Sequence, residues 1–233
     1  MNSSLLYNLF DAAEFWALLF PLLLIFPIRK SETWKKPLAV FIFLALPINF
    51  INCLIANSNF IPFDLPFQNN TVLYNVMSII RFSCFTWFFY LIPQKGFSTF
   101  AKLIPIAYLV CFIILFAFFE NFFNTEMISS NLLAAEAFLL LMFCLLSYFS
   151  IYRAEDSTSQ SDSLLWIISG LALYVVIDFF LYLFYEPLIL EDPILADKSW
   201  TIHNIAFTIF CGAMARGLYL SKANTRKEPA RKV

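Results

Sequence analysis

Seven runs of apolar residues, each about the length of a membrane crossing, divide this chain, and only short connections separate them. They span residues 12–28, 37–57, 72–93, 103–123, 129–152, 164–187 and 199–220. A bilayer core about 30 Å thick is crossed by about 20 residues at a helical rise of about 1.5 Å. In lipid the backbone polar groups must be satisfied within the protein, so each run predicts a helix. Composition agrees, with 61% of the 233 residues hydrophobic and 13% charged. A soluble domain would carry about 25% charged residues. The expectation is an all-α, polytopic integral membrane protein. Its seven-transmembrane-helix bundle covers residues 1–221 and a basic tail covers 222–233. Pro21 and Pro27 predict a kink in the first run. No Lys or Arg precedes that run, so it reads as a retained helix rather than a secretory leader.

The basic residues fall on alternate connections. One side holds Arg29, Lys30, Lys35 and Lys36, then Lys95 and Lys102, then Arg153 and the tail with Lys222, Arg226, Lys227, Arg231 and Lys232. The other side has Lys198 alone, among Asp11, Asp64, Glu126, Glu191, Asp192 and Asp197. The positive-inside rule then places the N-terminus outside and the C-terminus in the cytoplasm. The membrane expected is the plasma membrane, or the inner membrane of a bacterium. Membrane lipids are the first expected partner, with the basic tail attracted to anionic headgroups. A net charge of −1 points to no nucleic acid. The sequons at Asn2 and Asn69 fall on the expected outer side. Five cysteines are scattered singly, without CxxC, and read as small buried hydrophobes.

Once the topology is drawn, each polar residue inside a run acquires a depth. Arg81 lies nine residues inward from the outer start of the third run, and Asp178 nine residues inward from Pro187 in the sixth. Glu136 sits about a turn shallower in the fifth run. His203 and Asn204 come from the seventh, Asn49 and Asn52 from one face of the second, and Glu14 from the first. Ionised groups within a bilayer cost about 2.5–3.5 kcal/mol each and face the bundle interior in pairs. Arg81 with Asp178 is the economical pairing, and Glu136 is a second acceptor. Steps of three and four place Gly170, Tyr174, Asp178, Tyr182 and Tyr185 on one face. Each feature also has a plain structural role. The pair could brace two helices, His203 could bond a loop carbonyl, and the asparagines could join helices. Together they exceed what bracing requires, which predicts an outward-facing polar cavity. The candidate ligand-binding residues are Arg81, Asp178, Glu136, His203, Asn204, Tyr174, Tyr182, Asn49 and Asn52.

Several chemistries are excluded. His203 is the sole histidine, so neither the three-histidine zinc site of ceramidase-type membrane hydrolases nor bis-histidine haem can form. Four glycines hold no GxSxG, P-loop or dinucleotide fingerprint. No catalytic residues, metal or cofactor are expected. The topology resembles that of microbial rhodopsins and other seven-helix receptors, although the seventh run has no lysine for a retinal Schiff base. The Pro93–Gln94 dipeptide is similar to the motif of PQ-loop transporters, but runs 1–3 and 5–7 share no matching positions. The pattern also resembles the seven-helix sensing modules of bacterial signalling proteins, which continue into a kinase or cyclase domain that is not found here. The expected outward-facing polar cavity points to a receptor- or sensor-like protein that binds a small polar or anionic ligand. It would signal through a cytoplasmic partner at the inner loops or basic tail. A small-solute or proton- or cation-coupled transporter or channel is the alternative, ahead of an intramembrane enzyme or a structural membrane protein.

Overall fold

The computed structural model describes residues 12–26, 32–56, 70–92, 99–120, 122–123, 128–153 and 159–227. Asn2, Asp11, Pro27, Arg29, Lys30, Asp64, Asn69, Pro93–Gln94, Lys95 and Glu126 lie outside these residues, as does the tail beyond Lys227. So do the side chains of Arg153, Asp197 and Arg226. The regular structure is helical, with no strand among the described residues. Helix α1 comes in two pieces, Ala13–Trp16 and Leu19–Ile25. It is followed by α2 (Lys35–Ala56), α3 (Thr71–Leu91) and α4 (Thr99–Ile114), which widens into a π-turn over Leu115–Phe119. Then come α5 (Ser130–Arg153), α6 (Ser159–Glu191) and α7 (Pro193–Lys227).

Five of these helices, α2 to α6, are long and apolar enough to cross a membrane. Helix α1 is shorter. Helix α7 has the length, but His203, Asn204 and Arg216 dilute its apolar sequence. The outward faces are greasy: Leu103, Ile106 and Ile113 of α4 and Phe180 and Phe184 of α6 are exposed, while Arg81, Glu136 and Asp178 are buried inside. That is the arrangement of a multi-pass, membrane-embedded protein.

The break in α1 has a local cause. Pro21 has no N–H, so the carbonyl of Ala17 cannot receive the usual bond from four residues on. It accepts instead from Phe20 at 3.3 Å, and the helix is interrupted at residues 17–18. At the other end of the chain the helices outrun expectation. Residues 188–198, read from sequence as a connection, are helical except for Asp192. The Asp192 carboxylate accepts the Leu195 N–H at 3.1 Å, and Pro193 occupies the first position of α7. That is the cap chemistry that starts a helix abruptly. With 33 residues, α6 is about 50 Å long, beyond the thickness of a hydrocarbon core.

The packing forms a ring in the order α1, α2, α3, α5, α6, α7 and back to α1, with α4 outside it against α5. Helices α6 and α7 make the most extensive contact, and two glycines permit it. A Cβ at Gly217 would lie 2.5 Å from the Ser163 carbonyl oxygen, and one at Gly170 would collide with the Ala213 methyl. Helix α4 is tied on by Tyr108, stacked on Phe82 at 3.8 Å with its hydroxyl 3.1 Å from Ser78 Oγ.

One half of the ring is filled by phenylalanine. Phe85 meets Phe41 at 5.0 Å and Phe210 at 5.6 Å, while Phe89 stacks on Phe143 at 5.2 Å. All five, together with Phe88, are fully buried. Near the start of α2 a small polar latch holds that end to α7. Lys35 Nζ lies 2.8 Å from Glu32 Oε1, which also accepts the Ser221 hydroxyl.

Candidate functional site

The other half of the ring holds the charges. Arg81 lies ten residues into α3, about 15 Å from its start. Its Nε donates to Glu136 Oε1 at 2.5 Å and its Nη2 to Glu136 Oε2 at 2.9 Å. Two parallel bonds of this kind match the guanidinium fork to a carboxylate. Nη1 donates to the Tyr174 hydroxyl at 2.5 Å. Asp178, expected as the first partner of Arg81, is the more distant acid, with Oδ2 3.9 Å from Nη1. The depths of the Cα atoms had suggested otherwise, but side chains lean toward the N-terminus of their own helix. Helices α3 and α6 run in opposite directions, so Arg81 and Asp178 lean apart, and the long arginine meets the shallower Glu136.

Asp178 is engaged by His203 instead. His203 Nδ1 lies 2.8 Å from Asp178 Oδ1 and Nε2 lies 2.8 Å from Glu14 Oε1. The imidazole therefore bridges two carboxyl groups, one on α6 and one on α1, rather than bonding a loop carbonyl. Tyr182 Oη lies 3.4 Å from the same Nδ1, and the Trp200 ring stacks on the imidazole at 4.9 Å. Glu14 is held from two further sides. Tyr74 donates to its Oε2 at 3.3 Å and Asn49 donates to its backbone carbonyl at 3.1 Å.

The buried network sets three carboxyl groups, Glu14, Glu136 and Asp178, against one guanidinium and one imidazole, so acids outnumber bases.

Two cavities adjoin it. The larger, about 210 Å³, opens among the ends of five helices and is lined by Glu14, Asn49, Asn52, Tyr74, Tyr185 and Trp200, among others. The smaller, about 20 Å³, has room for about one water and is walled by Arg81, Tyr174, Tyr182 and His203. Glu14, Asn49 and Tyr74 border both, forming the partition between vestibule and chamber. Below the chamber Tyr174 stacks on Phe210 at 5.5 Å, where the phenylalanine fill begins.

The residues expected at the site thus divide into three groups. Arg81, Tyr174, Tyr182, His203 and Asn49 face the chamber, and Asn49 and Asn52 face the vestibule. Glu136 and Asp178 stand behind and hold Arg81 and His203. Asn204 is buried but lines neither cavity. Trp200 and Phe15 are additional lining residues. Trp200 lies three residues before His203, on the same helical face, a signal that was present in the spacing. No group of three or more metal-ligating side chains occurs among the described residues, since Glu14 and Asp178 contact opposite edges of one imidazole. Compared with known families, curated proteins and solved structures, the chain matches none.

Proposed function

We propose that this chain is a receptor- or sensor-like protein that crosses the membrane seven times and binds a small polar ligand in the vestibule. In this reading the vestibule faces outward, the N-terminus is outside and the C-terminus is cytoplasmic, in a plasma membrane or bacterial inner membrane. A partner at the inner loops or basic tail would receive the signal. The observation that carries the reading is the layering of the ring interior. A vestibule of about 210 Å³ sits over a buried charged network, which in turn sits over a fill of buried aromatic rings. The charged layer connects α1, α3, α5, α6 and α7, so occupancy at the mouth has a physical route to several helices.

The fill also ranks the alternatives. A transporter or channel needs a polar path to both sides, and Phe85, Phe88, Phe89, Phe143 and Phe210 occupy the space where it would run. The Glu14–His203–Asp178 chain is nonetheless of the kind that relays protons, so proton-coupled transport is the second reading. Reconstituted protein should show no proton or cation flux above that of protein-free vesicles. Flux abolished by Asp178→Asn would place transport first.

The direct test is native mass spectrometry of gently extracted protein, wild type beside Asn52→Phe, which fills the vestibule. The wild type should retain a small molecule, either from the membrane or after incubation with a metabolite mixture, that the variant does not. Wild-type protein that retains nothing from either source would sink the receptor reading.

A further inference from the structure

The vestibule has a chemical character that narrows its ligand. Glu14 is its only charged lining residue among the described residues. Among the described residues no cation faces that space. The guanidinium of Arg81 borders the chamber beneath, with three of its N–H groups committed to Glu136 and Tyr174. An incoming anion would meet Glu14 before it could reach Arg81.

A cation meets the opposite situation. The Glu14 side chain is 13% exposed, against 1% for Asp178 and 0% for Glu136, so it is the accessible end of a network in which three acids face one arginine and one histidine. Its Oε2 receives one long bond, from Tyr74 at 3.3 Å. Around it stand Trp200, Tyr74 and Tyr185. The Tyr74 ring is edge-on to Trp200 at 5.3 Å, and the Tyr185 ring lies 5.5 Å from it. Aromatic walls beside a carboxylate favour organic cations, because ring faces carry negative charge and the rings remain apolar toward alkyl groups.

An independent feature points to the same cavity. Among the described residues the amide of Asn52, 4% exposed, has no hydrogen-bond partner at Nδ2 or Oδ1, and the residue lines the vestibule. A buried amide without partners is costly, and a ligand bearing an N–H or hydroxyl beside its charge would supply one. The volume admits about seven waters at ~30 Å³ each, which restricts the ligand to a small molecule or a headgroup.

We infer that the vestibule takes a small organic ammonium ion, with Glu14 as counter-charge, Trp200, Tyr74 and Tyr185 as walls, and Asn52 as the polar contact. This deepens the receptor reading and rests on it. The ammonium group could belong to a free metabolite or to the headgroup of a zwitterionic lipid.

The test is titration of the full chain in uncharged maltoside micelles, followed by tryptophan fluorescence. The probes are choline, tetramethylammonium and ethylammonium, the neutral choline isostere 3,3-dimethyl-1-butanol, and acetate. At least one ammonium should bind saturably, with the signal absent in Trp200→Phe. The neutral isostere should bind about tenfold more weakly or worse. Glu14→Gln should weaken the ammonium by a similar factor, and Glu14→Asp should retain part of the affinity. This second variant separates loss of charge from loss of fold. Competition by short-chain phosphatidylcholine but not phosphatidylglycerol would assign the group to a lipid, and its absence to a free ligand. Equal binding of the isostere, or binding of acetate alone, overturns the inference. If Asn52→Phe abolishes that binding, the receptor reading survives. No binding of any probe also overturns the inference, and retention from the metabolite mixture then decides the receptor reading separately.

Discussion

His203 Nε2 lies 2.8 Å from Glu14 Oε1, a contact between residues 189 positions apart that joins α7 to α1. Because His203 Nδ1 also meets Asp178 at 2.8 Å, one imidazole holds three helices. The contact closes the ring where α1 is weakest, just ahead of its break at residues 17–18. It also makes the partition between vestibule and chamber a moving part in principle, since Glu14 borders both spaces and sits on a four-residue helical piece.

His203→Leu should therefore be strongly destabilising, because it leaves the buried Asp178 and the half-buried Glu14 facing an apolar side chain. Loss of one partner from a buried charged set costs about 3–5 kcal/mol in soluble proteins. Adding Asp178→Asn should restore part of the loss. Thermal unfolding of the purified variants in detergent measures both. An unaffected single variant would mean that His203 does not hold the ring.

Arg81 and Glu136 should show the same asymmetry more strongly. Arg81→Met alone and Glu136→Met alone should each lower stability by about 3–5 kcal/mol, while the double variant should lie much closer to wild type. The reason is that each single change strands a buried charge, and the double change removes both. If the two losses simply add, the fork is not a coupled pair.

The α6–α7 contact gives a prediction within one helix. Gly217→Ala should destabilise by about 1–3 kcal/mol, because its new Cβ would lie 2.5 Å from backbone at Ser163. Gly212→Ala, with nothing within 4 Å of its Cβ, should be neutral or stabilise by up to about 1 kcal/mol through helix propensity. Comparing the two melting temperatures separates close packing from a general intolerance of alanine in α7.

Cysteine chemistry tests the orientation. None of the five cysteines is in a disulfide; Cys84, Cys144 and Cys211 are buried, while Cys53 lines the vestibule. A charged, membrane-impermeant thiol reagent should modify Cys53 from the outer face of sealed vesicles. The three buried cysteines should react only after denaturation. Modification of Cys53 from the cytoplasmic face alone would invert the proposed topology.

Much of this architecture was legible in the sequence, because the constraint that produces it acts locally. A run of apolar residues long enough for a bilayer must be helical, so the existence of the helices could be read residue by residue. So could the concentration of polar groups in one half of them. The tyrosine face of α6 followed from its spacing, because helical period is a property of the segment alone. The ends were less legible. A single capping aspartate, Asp192, replaced an expected connection with two nearly continuous helices, and Pro21 broke α1 by removing one donor.

The partners of the charged residues were decided only in three dimensions. Arg81 had two acids within plausible depth, and the choice of Glu136 depended on the lean of side chains on antiparallel helices. His203 and Glu14 lie at opposite ends of the chain, and no local rule relates them. The ring order brings them to one point, where the two imidazole nitrogens of His203 meet the carboxyl groups of Glu14 and Asp178. Sequence determines which groups must be hidden from lipid, since that cost belongs to each residue. Tertiary structure determines which of them meet, since hydrogen bonds and ion pairs depend on distances that only the packed helices set.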